Sequence, residues 1–192
     1  MNTMQNVFGT NNSSLSTCTL ANIGMYEAAL WKLDLHPRPT IMVYGRECHQ
    51  PRDIGFFSQE SEGYRYSGKL LPSTPLTPEL EELLSIVNTL FSDTFNGILV
   101  NRYNSGKDSI GAHSDDERML GASGVVSLSV GATRTFRIRA KATKKIVYDC
   151  KLSHGDVMHM QGAFQSEFTH EIPKELRVKE PRLSLTFRHH IR

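Results

Sequence analysis

The sequence predicts an α+β fold, in which a double-stranded β-helix (jelly roll) core carries N-terminal helices packed on one of its sheets. From about Asn96 onward, short segments rich in β-branched and aromatic residues alternate with Gly, Ser, Asp and Lys turns. No helical pattern lies between these segments, which favours a sandwich or jelly roll over a parallel sheet. Two helical patterns precede them, and they supply the helical layer.

Helical spacing of apolar residues marks two segments in the N-terminal half. The first is Ile23–Leu33, and two prolines at positions 37 and 39 follow it and disfavour its continuation. The second begins at Pro78, where Thr77 provides a cap and glutamates occupy the first turn. Its leucines and valine recur at helical spacing, so we expect one buried face.

Six later segments have the length and composition of strands. They are residues 98–103, 126–130, 135–139, 146–148, 156–160 and 183–188. The Asn-, Ser- and Thr-rich start, residues 1–17, has little to bury, so we expect a disordered tail there. Residues 18–192 are then expected to form one domain.

Composition limits the class of protein. The 192 residues carry a net charge of +2 and include no apolar run long enough to span a membrane. The odd number of cysteines, Cys18, Cys48 and Cys150, has no metal-type spacing and fits reduced thiols. With no secretory signal recognised, we expect an intracellular monomer without a membrane partner, nuclear in a eukaryote and cytoplasmic otherwise.

The most informative polar residues are His113 and Asp115, with His170 far downstream. Two imidazoles and one carboxylate can cover one face of a ferrous ion and leave positions open for a chelating cosubstrate and O₂. His113 and Asp115 share a face if their segment is extended. An H-x-D pair alone is more often a surface or hydrogen-bonded pair, so this pattern needs support. His154 and His159 are more typical of satisfied strand histidines than of a second metal site.

Support comes from the last predicted strand, where Arg182, Ser184, Thr186 and Arg188 share one face. Arginine forks match the carboxylates of a small diacid such as 2-oxoglutarate. Asn101 and Tyr103 are two positions apart and can donate to the same carboxylate. A strand with one wet, basic face is the alternative interpretation.

Several motifs occur in a fixed order over residues 44–188. They are Asn101-Arg102-Tyr103, Gly111-Ala112-His113-Ser114-Asp115-Asp116-Glu117, Val126–Gly131, His154-Gly155-Asp156, His170 and Pro181–Arg188. In this order they resemble the motifs of the AlkB family of nucleic-acid dealkylases, and this match is highly specific. The segments Val43–Arg46 and Tyr64–Gly68 are most similar to the branch that contains the second human homologue, a duplex-DNA repair enzyme.

The resemblance implies a site and a reaction. Fe(II) would be bound by His113, Asp115 and His170. The cosubstrate 2-oxoglutarate would be bound by Asn101, Tyr103, Arg182, Thr186 and Arg188, while Ser184 replaces a frequent family asparagine. With O₂, the reaction would demethylate N1-methyladenine and N3-methylcytosine in DNA, with RNA as a further possibility, releasing formaldehyde, succinate and CO₂.

A base inside a duplex must leave the stack before chemistry can reach it. The resemblance implies that the base contacts come from Tyr44, Gly45, Arg46, Tyr64, Arg65, Tyr66 and Asp116. Tyr44 would fill the vacated stack, and Glu117 would steady the loop that carries Asp116. A half-buried strand edge and a solvated acidic turn are the alternatives for the tyrosines and for Asp116-Glu117.

Basic residues concentrate at two places, in residues 134–145 and in residues 174–179. They indicate either phosphate contacts or a solvated face. The loop after Arg139 is short, which leaves single-stranded DNA or RNA open as substrate. Two further functions stay open: hydroxylation of a protein or small molecule by the same chemistry, and a non-catalytic nucleic-acid binding module.

Overall fold

The computed structural model describes residues 4–43, 45–66, 69–116 and 123–190. Within these ranges, seven strands form one antiparallel sheet, the major sheet: β1 (Gln5–Gly9), β2 (Ser13–Thr19), β5 (Asp53–Ser58), β8 (Gly97–Tyr103), β10 (Val125–Gly131), β13 (Asp156–Gly162) and β15 (Arg182–Arg188). Their spatial order is β1-β2-β13-β10-β15-β8-β5. Because sequence neighbours are rarely adjacent in it, the sheet is built from long crossover connections, as in a jelly roll.

A second sheet, the minor sheet, consists of four of the described strands: β9 (Ile110–His113), β11 (Arg134–Ala140), β12 (Ile146–Leu152) and β14 (Phe168–Ile172). Their order is β12-β11-β14-β9. Apolar residues of both sheets meet in one buried cluster, in which Val125 and Met158 of the major sheet join Phe136 and Ile138 of the minor sheet. The two sheets therefore form the predicted jelly roll.

Helices cover the other face of the major sheet, as predicted. α1 (Gly24–Leu30) and α2 (Pro78–Phe91) bury Leu30, Leu80 and Leu83 against strands β8, β10 and β15. The Thr77 side chain accepts a hydrogen bond from the Leu80 backbone N–H at 3.4 Å, which confirms the predicted cap. Among the residues that the structure describes, no helix combines the length and apolar character needed to cross a membrane.

Two hairpins and one short helix complete the described elements. The hairpins are β3 (Thr40–Val43) with β4 (Arg46–His49), and β6 (Gly63–Tyr66) with β7 (Lys69–Pro72); the helix is α3 (Phe164–Glu167). Gly45 has a φ of +75° in the first hairpin turn, a conformation that favours glycine. The Lys69 ammonium donates to the Thr40 hydroxyl at 2.9 Å and connects the two hairpins.

The prediction of a disordered tail over residues 1–17 is wrong for the part that the structure describes. Residues 5–9 and 13–19 form strands β1 and β2, and β2 pairs with β13 over its whole length. β2 lies between β1 and β13 and buries two apolar side chains, Leu15 and Cys18, so a polar composition does not prevent these strands from forming. Backbone hydrogen bonds with β13 therefore order a segment whose composition suggested disorder.

All six predicted strands are present, each within a few residues of its predicted limits. Strand β14 was not predicted, although Phe168, His170 and Ile172 alternate as buried residues. The first helix is shorter than the predicted Ile23–Leu33, and it ends at Leu30. Leu33, the last apolar residue of the predicted helix, follows a turn and remains buried.

Candidate active site

The three predicted metal ligands meet at one end of the minor sheet. His113 is the last residue of β9 and pairs directly with His170 of the neighbouring strand β14, with ring centroids 4.3 Å apart. Asp115 lies two residues beyond the strand, and its carboxylate is 3.4 Å from His170 Nε2. One ligand atom from each residue lies within 4.8 Å of the others. Ligands on adjacent positions of one octahedral ion are about 3 Å apart, so the cluster fits a single metal ion.

The protonation of the cluster suits metal binding. The His113 Nδ1–H donates to the Gly111 carbonyl at 2.9 Å, because a carbonyl oxygen only accepts, and this leaves Nε2 as the ligand atom. Burial and the neighbouring His170 lower the pKa of His113 to about 3, so its imidazole is neutral. Burial alone would raise the pKa of Asp115, but Arg188 and His170 hold it well below its usual value. A neutral imidazole and a carboxylate are the forms that coordinate a metal.

Arg188 is fully buried beside this cluster. Its Nη2 donates to the Asp115 carboxylate at 2.8 Å, and its guanidinium lies 5.0 Å from the centre of the Tyr64 ring. Arg188 pairs with Asp115 Oδ1, whereas Oδ2 is the oxygen that faces His170. Arg188 therefore orients the carboxylate of the candidate ligand.

Arg182 provides a buried positive charge at the predicted position. Its Nη2 donates to the Ser129 hydroxyl at 2.9 Å, and the guanidinium lies 5.5 Å from the Tyr103 ring centre. Within the described residues, its Nε and Nη1 are buried and have no hydrogen-bond partner. Burial lowers the pKa of Arg182 to about 10, which still leaves it charged at neutral pH. A buried guanidinium with two unpartnered N–H groups fits a carboxylate from outside the chain.

Strand pairing explains why the remaining predicted residues converge. In the β15–β8 ladder, Arg182 pairs with Tyr103 and Ser184 with Asn101. Arg182, Ser184, Thr186 and Arg188 all line the same cavity, so the predicted shared face is present. Ser184 forms a 3.2 Å hydroxyl contact with Ser127 of the adjacent strand β10.

Some residues of this cavity were not singled out in the sequence. Arg52 is buried, and its Nε donates to the Asn101 amide oxygen at 2.8 Å. The Phe136 ring stacks on His170 with centroids 5.3 Å apart. Ser129 is not part of the cavity lining but supports Arg182 from strand β10. Only the fold brings Arg52 next to Asn101.

The cavity has an empty volume of about 550 Å³ and is lined by both polar and apolar residues. The cavity is lined by Arg182, Arg188 and the three candidate metal ligands. Apolar residues also line it, and they include Leu99, Ile110, Phe136 and Met160. The apolar residues lower the local dielectric constant and strengthen each charged contact. This composition is typical of a site that binds a small anion next to a metal.

The structure places some of the predicted base contacts near the cavity. Tyr64 lines it and is 8% exposed, while Arg65 and Arg46 are exposed on the two hairpins. Asp116 is exposed, and its carboxylate lies 3.7 Å from the Lys141 ammonium. Gly45 forms the hairpin turn already described. Tyr44, Glu117 and the side chain of Tyr66 lie outside what the structure describes.

The first predicted basic group is largely neutralised by carboxylates. Arg137 pairs with Asp149 at 2.8 Å, and Arg139 pairs with Glu171 at 2.9 Å. Arg134 is completely buried and pairs with Glu175, so it cannot contact phosphate. The interpretation of β11 as a phosphate-binding strand is therefore wrong for Arg134 and weakened for the other two. Lys144 and Lys145, in the turn after β11, remain exposed.

The two histidines considered for a second metal site each form a hydrogen bond, His159 within strand β13, as predicted, and His154 in a turn. His159 is buried, with its Nε2 3.0 Å from the Ser123 carbonyl, and burial lowers its pKa. The His154 Nδ1 accepts from the Gly131 N–H at 3.2 Å. Over the described residues, the His113–Asp115–His170 cluster is the one group of three that fits a metal.

Comparisons with known proteins agree with this site. Residues 25–188 match the family described as the 2OG-Fe(II) oxygenase superfamily. The chain is 34% identical to bovine DNA oxidative demethylase ALKBH2 over 156 residues, which are 77% of this chain and 56% of that protein. It is 39% identical to mouse alpha-ketoglutarate-dependent dioxygenase alkB homolog 3 over 149 residues, 72% of this chain and 51% of that protein. The chain thus spans little more than half the length of either relative.

A solved structure, that of OsALKBH1, covers 95% of this chain and 100% of that chain, with a TM-score of 0.57 and 18% identity. At this identity the likeness shows the fold alone.

The family match covers most of the chain, so the protein belongs to the 2OG-Fe(II) oxygenase superfamily. Its relatives within that superfamily are AlkB proteins, which confirms the resemblance inferred from the motifs. Fe(II), 2-oxoglutarate and O₂ are the reactants that this superfamily uses, and the cavity offers a matching donor set. Relatives of both the ALKBH2 and the alkB homolog 3 type match, the first over a longer stretch and the second at higher identity.

Proposed function

We propose that the protein is an Fe(II)- and 2-oxoglutarate-dependent dioxygenase that demethylates N1-methyladenine and N3-methylcytosine in DNA, with RNA as an alternative substrate. The observation that carries the proposal is the Arg182 guanidinium, whose Nε and Nη1 have no hydrogen-bond partner within the described residues and which lies in the cavity that His113, Asp115 and His170 also line. A permanent cation next to a two-histidine, one-carboxylate cluster fits a chelating diacid. An intracellular location follows from a DNA substrate.

The donor set fits Fe(II) in both number and protonation. His113, Asp115 and His170 would hold the metal, and the three remaining octahedral positions are open to cosubstrate and O₂. When bound, Fe(II) and 2-oxoglutarate supply the oxidising chemistry: O₂ is consumed, succinate and CO₂ form, and the methyl group is hydroxylated. The hydroxymethyl base then loses formaldehyde.

The protein orients the cosubstrate through Arg182. The Nη1 N–H and the second Nη2 N–H would donate to the distal carboxylate as a bidentate fork, while Ser129 and the Tyr103 ring keep the guanidinium in place. Asn101 is held by Arg52 on the adjacent strand and can contact the same carboxylate. Because the apolar walls exclude water, these contacts are stronger than they would be in solution.

Base recognition would occur at the mouth of the cavity. Adenine and cytosine both present an exocyclic amino group beside the nitrogen that is methylated in these lesions. Asp116 directly follows the ligand Asp115, so its carboxylate can accept from that amino group next to the reacting methyl group. Tyr64 lines the cavity with its ring against Phe56 and the Arg188 guanidinium, so it would contact a base that has left its stack through the ring edge.

The test is a reaction with an oligonucleotide that carries one N3-methylcytosine, in the presence of Fe(II), ascorbate and 2-oxoglutarate. Mass spectrometry of the oligonucleotide should show loss of the methyl group, with succinate and formaldehyde formed in equal amounts. The matched control is the same sequence with unmodified cytosine. Single- and double-stranded DNA and RNA versions define the preferred substrate.

Two outcomes would contradict the proposal. Succinate formed with another substrate while the oligonucleotide mass stays unchanged would indicate a hydroxylase of a protein or small molecule. Tight binding of the oligonucleotide without turnover and without Fe(II) binding would indicate a non-catalytic module.

A further inference from the structure

The metal-ligand segment that follows β9 is held by hydrogen bonds that involve side chains, to β14 and to α3, and not by strand pairing. Residues 114–116 lie beyond the end of the strand, so no ladder fixes them. The Ser114 hydroxyl donates to the Phe168 carbonyl at 2.9 Å, and the Asp115 backbone N–H donates to the Gln165 side-chain oxygen at 2.9 Å. The second bond fixes the backbone of the carboxylate ligand itself.

Gln165 is well placed to hold this segment because its helix is itself anchored. It lies on α3, whose first residue, Phe164, is completely buried. The last residue of the helix, Glu167, accepts hydrogen bonds from the Thr10 hydroxyl at 2.8 Å and the Ser13 hydroxyl at 2.7 Å. Thr10 lies in the turn between β1 and β2, and Ser13 is the first residue of β2, so the N-terminal hairpin supports α3.

The free end of the Gln165 amide is also engaged. Its Nε2 lies 3.6 Å from the Met160 sulfur, a weak contact with a residue that lines the active-site cavity. Because Gln165 Nε2 faces the Met160 sulfur, Gln165 Oε1 is the atom that accepts from the Asp115 N–H. These two contacts together set the orientation of the Gln165 amide.

From this arrangement we propose that Gln165 is a positioning residue that sets the metal affinity of the site through Asp115. Partners that orient metal ligands are typically worth 10- to 100-fold in metal affinity, on the order of the effect expected here. The inference rests on the proposed function, since it takes Asp115 as a ligand of Fe(II). It adds a residue of α3 and, through Glu167, the N-terminal hairpin to the support of the metal site.

The experiment is an anaerobic titration of the full chain with Co(II), whose visible absorption reports coordination geometry and affinity without turnover. Gln165→Met keeps the length of the side chain but removes the amide oxygen, whereas Gln165→Glu keeps an oxygen acceptor. Ser166→Ala is the matched control, because the exposed Ser166 hydroxyl donates to the Ala163 carbonyl within the same helix. Thermal unfolding of each variant is measured in parallel.

We expect Gln165→Met to bind Co(II) roughly 10- to 100-fold more weakly with an altered spectrum, while Gln165→Glu and Ser166→Ala stay within about threefold of the unmodified protein. An unchanged affinity and spectrum for a folded Gln165→Met would overturn the positioning role alone. Equal weakening in Gln165→Glu and Gln165→Met, in step with their loss of thermal stability, would also overturn it. Failure of the unmodified protein to bind Co(II) would overturn the proposed function and this role together.

Discussion

The Arg188 guanidinium donates to the Asp115 carboxylate at 2.8 Å, and both groups are buried next to His170. Asp115 therefore has two roles, as a candidate metal ligand and as the counter-charge of a buried arginine. A buried charge that loses its partner is costly, because water cannot replace the lost interaction. This pairing distinguishes Asp115 from His113, which belongs to the same cluster and carries no charge.

Asp115→Ala should abolish turnover and also destabilise the fold by about 3–5 kcal/mol, because Arg188 is left buried without this carboxylate. His113→Ala should abolish turnover with a smaller loss of stability. Urea unfolding of both variants without metal separates the two effects. The neighbouring exposed residue supplies the control, since Asp116→Ala should change stability by less than about 0.5 kcal/mol. Equal stability losses for Asp115→Ala and Asp116→Ala would argue against the ion pair.

Arg182→Lys should raise the KM for 2-oxoglutarate by roughly 10- to 100-fold, since a point charge cannot reproduce two parallel hydrogen bonds, each worth about 1.5–3 kcal/mol to a charged group. The measurement is succinate formation as a function of 2-oxoglutarate concentration. Arg177→Lys, the same exchange at an exposed position, is the control and should leave KM unchanged. If the two variants share the KM of the unmodified protein, the distal carboxylate binds elsewhere.

The ion pairs of β11 lead to a prediction about DNA affinity. Arg137 is paired with Asp149 and lies 3.8 Å from Glu171, so Arg137→Ala should leave the salt dependence of binding nearly unchanged. The double change Lys144→Ala and Lys145→Ala removes two exposed charges and should reduce the slope of log affinity against log salt by about 1–2. Fluorescence anisotropy of a labelled oligonucleotide over a salt series measures both. A slope reduced by Arg137→Ala alone would mean that DNA displaces the carboxylates.

Glu175 ties the C-terminal segment to the minor sheet and gives a prediction for pH dependence. It accepts from the Thr135 N–H at 2.7 Å, from Arg134 Nε at 3.2 Å and from the Lys151 ammonium at 2.5 Å. Burial alone would raise the pKa of Glu175, but the hydrogen bonds from Lys151 and Thr135 lower it to about 2. A lowered folded-state pKa stabilises the protein above the unfolded value, and that contribution is lost as pH falls towards the folded value.

Glu175→Gln should therefore lower the free energy of unfolding by about 1–3 kcal/mol at pH 7. This deficit should shrink as pH falls from the usual glutamate pKa of 4.5 towards about 2. Urea unfolding at about pH 7, above that window, and at about pH 4 and 3, within it, tests this prediction, with Glu180→Gln as an exposed control. A deficit of the same size at every pH would exclude the charged contacts as its source.

The strands and the second helix were predictable because their apolar side chains recur with the period of the backbone. Apolar residues alternate with polar ones in the strands and recur at helical spacing in the helix. In β15, the apolar Leu183, Leu185 and Phe187 alternate with the polar residues of the cavity, so its two faces could be assigned from sequence. Thr77 and Pro78 marked the start of α2 by known capping chemistry. Local rules were sufficient where one face is buried and the other is polar.

Other features depend on pairing between distant segments, which local rules cannot supply. The direct pairing of His113 with His170 is a consequence of the β9–β14 register. Likewise, the carboxylates that neutralise Arg137 and Arg139 come from neighbouring strands, so the sequence showed the cations without their partners. The N-terminal hairpin was missed because backbone hydrogen bonds between β1 and β2, and between β2 and β13, order its strands, which contain few apolar side chains.

We infer that His113, Asp115 and His170 bind one ferrous ion beside Arg182. Anaerobic calorimetric titration with Fe(II), with and without 2-oxoglutarate, measures this binding for the unmodified protein and for His170→Ala. We expect one Fe(II) per unmodified chain, with tighter binding when 2-oxoglutarate is present, and loss of this binding in His170→Ala. Equal Fe(II) binding by both proteins would exclude this metal site.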